Sequence, residues 1–401
     1  MFTGSISWWA KAIILTAVAI ISVTSLTSIS PRQTPAPQQP EIPFGLVASQ
    51  NGDLKPWGED SVKGTQLAID EFNASGGLDG RKVKLFVEDS NSRPDVAREV
   101  AEKLASTDKV ILLLGEIASG LTMQMGQVAA DHEIPLISIA ATRTSLFSGH
   151  SNMFRVCYTD DMQGPAMATF AYRDLGFRRV GVMTDRKQPY STGLSDGFTT
   201  RFTELGGKVV DEEFYETGQT QFQGQIGNMK ARKPDGLFLS GYFNEAGAIV
   251  RQARELGVNV KCMGGDGWDS NEILQLGGEA ILNSYFCNHF NNLEESPEAK
   301  SFIAKWKAKY DGTLPNTSIG ALAYDAAKLA CDALKRAKTK DAAGLQAAIE
   351  DTVGFRGATG VITLKGKQGN PPKRVVIVKL TKEGQQFVKA FEADAITGHA
   401  K

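Results

Sequence analysis

Val110-Ile111-Leu112-Leu113-Leu114-Gly115-Glu116-Ile117-Ala118-Ser119-Gly120 is the stretch on which the fold turns. Its first five residues are apolar without a polar break, which suits a strand covered on both faces of a sheet. Gly115 closes the run, and a helix is expected to begin near Leu121, so the segment reads strand, turn, helix. Ser119 would then lie where a hydroxyl and the first free backbone N–H groups of a helix can meet an anion.

The same alternation extends in both directions. Strands are expected at Phe44–Val47, Val83–Val87, Val110–Leu114, Leu136–Ile139, Phe154–Tyr158 and Val180–Met183. Others are expected at Lys208–Phe214, Leu237–Leu239, Lys261–Met263, Ser284–His289 and Val375–Leu380. Helical spacing lies between them, as in Val62, Ile69 and Phe72 before Gly76-Gly77. Strands alternating with helices build βαβ units around a parallel sheet, so the class is α/β. One sheet of that many strands would be large, and two doubly wound, Rossmann-like lobes are the better expectation. The polar stretch Thr159-Asp160-Asp161-Met162-Gln163-Gly164-Pro165 suits a first crossing between them.

Composition narrows the function. The 401 residues carry 44 Lys+Arg against 45 Asp+Glu, a net charge of −1, which lacks the cationic surplus that displaces phosphate counterions. Nucleic acid is therefore not an expected partner. Four Cys without a CxxC pair make neither a disulfide scaffold nor a zinc site, and no His/Asp/Glu cluster has metal-ligand spacing. No cofactor is expected. Residues 1–30 contain Lys11, a run of mostly apolar residues from Ala12 to Val23, then small and hydroxylated ones. That layout fits a secretory signal peptide or an uncleaved membrane anchor, and both readings export the body. Residues 31–43 hold five Pro and read as an extended tether.

In open parallel sheets, ligands bind beyond the carboxyl ends of the strands. Ser119 and Thr142 would supply hydroxyls there for a carboxylate, and the carbonyl of Ala140 could accept from an ammonium. The other lobe would supply Tyr190, Tyr242 and Asp266, the last flanked by glycines. Each residue could alternatively be a cap, a turn residue or a surface aromatic. Together they offer donors to an anion and an acceptor to a cation, the requirements of a zwitterion.

The chain also carries Trp57-Gly58-Glu59-Asp60 and Ala68-Ile69-Asp70-Glu71-Phe72-Asn73-Ala74-Ser75-Gly76-Gly77-Leu78-Asp79-Gly80-Arg81, and the candidates sit partly within Ala140-Ala141-Thr142, Gln188-Pro189-Tyr190-Ser191-Thr192-Gly193, Gly241-Tyr242 and Met263-Gly264-Gly265-Asp266-Gly267. On these motifs the chain resembles the periplasmic branched-chain (leucine/isoleucine/valine) amino-acid-binding proteins of ABC transporters, with the type I periplasmic binding protein fold. The resemblance implies three hinge crossings, near 160, 290 and 375. Lobe 1 would be 44–160 plus 290–375, and lobe 2 161–289 plus 376–401. It implies that Ser119 and Thr142 hold the ligand's carboxylate while Ala140 and Asp266 receive its ammonium. Tyr190 and Tyr242 would close over the ligand, and Trp57 would cover its side chain. It further implies a periplasmic monomer that hands a small amino acid to ABC transporter permease subunits and performs no catalysis. Binding of aromatic or other organic acids, or a sensing role for the same fold, is the alternative.

Members of that family often carry a disulfide beside the pocket. Here the positions are Ala118 and the segment Ser90-Asn91-Ser92, so that bond is absent. A Cys262–Cys287 bond or two separate buried thiols both fit the sequence, whereas Cys157 and Cys331 read as packing residues. Glu116 and Arg143 flank the carboxylate positions, and the expectation is that they face solvent or pair with each other. Gly193-Leu194-Ser195-Asp196-Gly197 matches the GxSxG pattern of hydrolases, but Ser195 lies too far beyond its strand for a nucleophile elbow and belongs in a helix.

Overall fold

A computed structural model of the chain describes residues 40–396. The segment 1–30 and most of 31–43 lie outside the described residues. The tether expectation fails at its end, because the first strand already begins at Ile42: apolar pairing with the neighbouring strand outweighs Pro43.

The first sheet contains β1 (Ile42–Ala48), β2 (Val83–Asp89), β3 (Leu113–Leu114), β4 (Leu136–Ser138) and β5 (Met153–Arg155). Their order is β2-β1-β3-β4-β5, and every neighbouring pair is parallel. Helices α1 (Lys55–Ala74), α2 (Pro94–Ser106) and α3 (Ser119–Asp131) connect them. Both α1 and α2 carry Pro at their starts, where the missing N–H has no helical partner in any case.

The second sheet contains β6 (Arg179–Asp185), β7 (Lys208–Tyr215), β8 (Gly236–Leu239), β9 (Lys261–Gly264) and β10 (Tyr285–Asn288). The order is β7-β6-β8-β9-β10, again all parallel. Helices α4 (Asp160–Thr169), α5 (Pro189–Glu204), α6 (Gln223–Arg232), α7 (Phe243–Glu255) and α8 (Glu272–Gly277) accompany it. The chain then runs through α9 (Pro297–Lys309), α10 (Ile319–Arg336) and α11 (Ala342–Glu350), and α10 packs along α1 of the first lobe. A short hairpin, β11 (Phe355–Gly357) and β12 (Gly360–Ile362), precedes β13 (Val375–Thr381) and β14 (Gly384–Phe391). These last two extend the second sheet antiparallel beyond β10. The chain therefore passes between the lobes three times: after β5, after β10 and before β13.

Two expectations change. The strand at 110–114 pairs only at Leu113–Leu114, although the whole apolar run is buried or nearly so. The strand expected at Phe154–Tyr158 is shorter and earlier, at Met153–Arg155. Helix α5 begins at Pro189, which places Tyr190 in its first turn. All four cysteines are free and buried. Cys262 and Cys287 do lie on adjacent strands, but the register sets Tyr285 beside Met263 and Phe286 beside Gly264. The two thiols are therefore offset along the sheet and have no facing partner.

Candidate functional site

Each sheet reverses its strand order once, between β1 and β3 in the first lobe and between β6 and β8 in the second. Such switch points open a crevice at the strand ends. Trp57 follows β1, Ser119 follows β3, and Ala140 and Thr142 follow β4. Tyr190 follows β6, Tyr242 follows β8, and Asp266 follows β9. All seven line one cavity, together with Ile117, Gly267 and Ile319. Other clefts are larger, but they lie away from this convergence of polar groups.

The first wall presents neutral donors. Ser119 is the first residue of α3, whose opening N–H groups and positive dipole end face the crevice. Its Oγ accepts the backbone N–H of Arg143 at 3.2 Å, which leaves its hydroxyl hydrogen to donate elsewhere. Thr142 is buried, its carbonyl accepts the N–H of Asp160 at 2.8 Å, and its Oγ1 lies 3.4 Å from Gln163 Nε2.

The second wall is acidic and aromatic. Asp266 opens a short 3-10 turn, and its carboxylate, 10% exposed, accepts from Gln163 Nε2 at 2.9 Å and His289 Nε2 at 2.7 Å. Tyr190 and Tyr242 stack face to face with centroids 5.2 Å apart. The Tyr190 hydroxyl accepts the Gly267 N–H at 2.9 Å, whereas the buried Tyr242 hydroxyl has no hydrogen-bond partner among the described residues. Burial first, then the charge of Asp266, pushes both phenols well above their usual range, so both hydroxyls stay protonated. The tight fit explains the flanking glycines. A Cβ on Gly265 would come within 2.5 Å of the Tyr190 hydroxyl, and one on Gly267 within 2.9 Å of both tyrosine rings.

The walls meet across the crevice. Trp57 packs edge-on against Tyr242 and Phe243 at 5.3 Å, and its indole N–H donates to the Asp269 carbonyl at 2.6 Å. Arg143 reaches from the first lobe to the Pro189 carbonyl at 3.1 Å and Thr192 Oγ1 at 3.2 Å. The space left inside is about 10 Å³ for the centre of a water-sized sphere, roughly what one water needs. Capture of any ligand larger than a water would therefore require these side chains to move apart and re-close.

Glu116 and Arg143 correct the expectation made for them. They do not pair with each other: Arg143 is half-buried and bonds across the crevice, whereas Glu116 turns inward. Glu116 is fully buried, with Ser90 Oγ at 2.6 Å, Ser49 Oγ at 2.9 Å and the Ile117 N–H at 2.9 Å donating to it. Burial pushes its carboxyl above the usual range against those three donors. Ser195 lies inside α5, its hydroxyl tied to Thr184 at 2.7 Å and Ser240 at 2.8 Å. Ile319, at the start of α10, is a lining residue that sequence reasoning missed. Nothing in a lone Ile two hundred residues beyond Ile117 marks it for the same wall.

A family model described as a periplasmic binding protein matches residues 41–385. The chain belongs to that family. Membership places its work outside the cytoplasm, and among the described residues no helix is long and apolar enough to cross a membrane. This periplasmic binding protein is 27% identical to the Leu/Ile/Val-binding protein BraC3 of Rhizobium johnstonii over 80% of this chain and 87% of that one. Its fold superposes on the leucine binding protein LivK of Thermotoga maritima with a TM-score of 0.84 at 32% identity, covering 88% of this chain and 99% of that chain. LivJ of Streptococcus pneumoniae, a branched-chain amino acid transporter substrate binding protein solved with isoleucine, matches with a TM-score of 0.82 at 30% identity over 88% and 100%. The resemblance read from the sequence is thus borne out at the level of family and fold.

Proposed function

We propose that the chain is the substrate-binding protein of an ABC transporter and takes branched-chain or other neutral amino acids between its lobes. The ligand's carboxylate docks at the start of α3 on Ser119 and Thr142. Its ammonium lies between the Ala140 carbonyl and Asp266. Tyr190, Tyr242 and Trp57 shut over it, and Trp57, Ile117 and Ile319 give its side chain an apolar surround. The observation that carries this reading is one cavity with hydroxyl donors on a helix start facing a buried carboxylate on the opposite lobe. The binding of isoleucine by LivJ and the leucine named for LivK support the ligand class.

The lobes in this reading are 42–160 plus 290–374 and 161–289 plus 375–396. The protein acts as a periplasmic monomer that binds without transforming its cargo, and permease subunits receive the ligand-closed form because ligand favours that state. A thermal-shift series with the twenty amino acids and benzoate tests the reading, since a ligand raises stability by RT ln(1 + [L]/Kd). Leucine, isoleucine or valine should raise Tm, and benzoate should not. A shift with benzoate alone would replace this reading with an organic-acid binder.

A further inference from the structure

Behind Asp266 lies a second layer of side chains that the capture of a ligand does not touch directly. Gln163, from α4, grips Asp266 at two points. Its Oε1 accepts the Asp266 N–H at 3.1 Å, and its Nε2 donates to Oδ1 at 2.9 Å. The same Nε2 donates to Asp160 Oδ1 at 2.9 Å, so one amide spans two buried carboxyls. His289, just beyond β10, donates from Nε2 to Asp266 Oδ2 at 2.7 Å. Its ring is buried and stacks on Tyr158, with centroids 3.8 Å apart.

The far nitrogen, Nδ1, is buried and has no hydrogen-bond partner among the described residues. Nε2 is thus the ring nitrogen that is bonded, and its partner is Asp266. Each oxygen of Asp266 is held by a different side-chain donor, and the two together fix the direction of the carboxylate.

We propose that His289 and Gln163 are positioning residues for ligand capture: together they aim the Asp266 carboxylate across the crevice at the ligand's ammonium. The proposal rests on the amino-acid reading given above. It assigns to His289 a role that packing alone would not need, since the stack on Tyr158 requires a flat ring but no donor.

Calorimetry with leucine on the full chain tests it. His289→Phe keeps the flat ring and deletes the donor, and a misaimed charged hydrogen bond should weaken leucine binding by about tenfold. His289→Gln places an amide N–H at comparable reach and should stay within about threefold of the wild type. In an Asp266→Asn background, where there is no longer a carboxylate to aim, His289→Phe should add less than about twofold. The proposal is overturned if the Gln variant falls as far as the Phe variant, if the Phe variant binds like the wild type, or if the Phe change costs the same in both backgrounds. A wild type that binds no amino acid overturns the ligand assignment itself and this role with it, whereas normal wild-type binding with any of those three results overturns the positioning role alone.

Discussion

The two walls of the crevice differ in chemistry. In the proposed reading the first lobe meets an anion with neutral groups, Ser119, Thr142 and the N–H groups of α3. The second meets a cation with one carboxylate, Asp266, held from behind by Gln163 and His289. The difference teaches that the anion end should tolerate loss of any one donor, while the cation end should depend on a single side chain.

Removal of that side chain is the severest break. Asp266→Ala should weaken leucine binding by 10- to 150-fold, the equivalent of about 1.5–3 kcal/mol for a charged hydrogen bond. Calorimetry reads the change, and unchanged affinity would remove Asp266 from the site. Ser119→Ala should cost less, about fivefold to tenfold, because the backbone N–H groups at the helix start remain. If the two substitutions cost the same, the asymmetry between the walls is not real.

Acidity sharpens the contrast. Asp160 is pushed from 3.8 up to about 7, first by burial and then by the charge of Asp266. Because its folded value lies above its unfolded one, the protonated group contributes stability that is fully present below about pH 4 and is lost as pH rises to about 7. Asp60, at about 6, acts with the same sign. The Tm of the ligand-free protein should fall across that window, and Asp160→Asn should flatten the slope; equal slopes in both proteins would exclude Asp160 as a cause. The smallest effect is expected at Tyr242, whose buried hydroxyl lacks a hydrogen-bond partner among the described residues. Tyr242→Phe should leave Tm unchanged or slightly higher, within about 0.5 kcal/mol, and a clear drop would mean that the hydroxyl already has a stabilising partner.

Much of this was legible in the sequence, for identifiable reasons. Strands covered on both faces announce themselves as continuous apolar runs, and the residues just after them mark the crevice, which made Ser119, Ala140, Thr142, Tyr190, Tyr242 and Asp266 legible; Trp57 came from the family resemblance alone. What failed to announce itself was of two kinds. The edge strand β14 reads Gly-Gln-Gln-Phe-Val-Lys-Ala-Phe and is largely open to solvent, so it lacks the apolar signal. The hairpin of β11 and β12 has three residues per strand, too few for a period to show. The supporting groups were hidden differently. Burial of Glu116 depends on hydroxyls from Ser49 and Ser90, at the ends of two other strands. His289 meets an Asp 23 residues away across parallel strands. Local sequence carries no trace of such meetings, because they exist only once strand order is set.

One comparison by calorimetry reaches the centre of the account: leucine against 4-methylpentanoate, which lacks the amine, and 3-methylbutylamine, which lacks the carboxylate. A cleft with one pole on each wall should bind leucine and reject both halves by about 100-fold or more, since each leaves a buried group unpaired. A carboxylate-only analogue that bound as tightly as leucine would contradict it, for then the acidic wall would have no part in recognition.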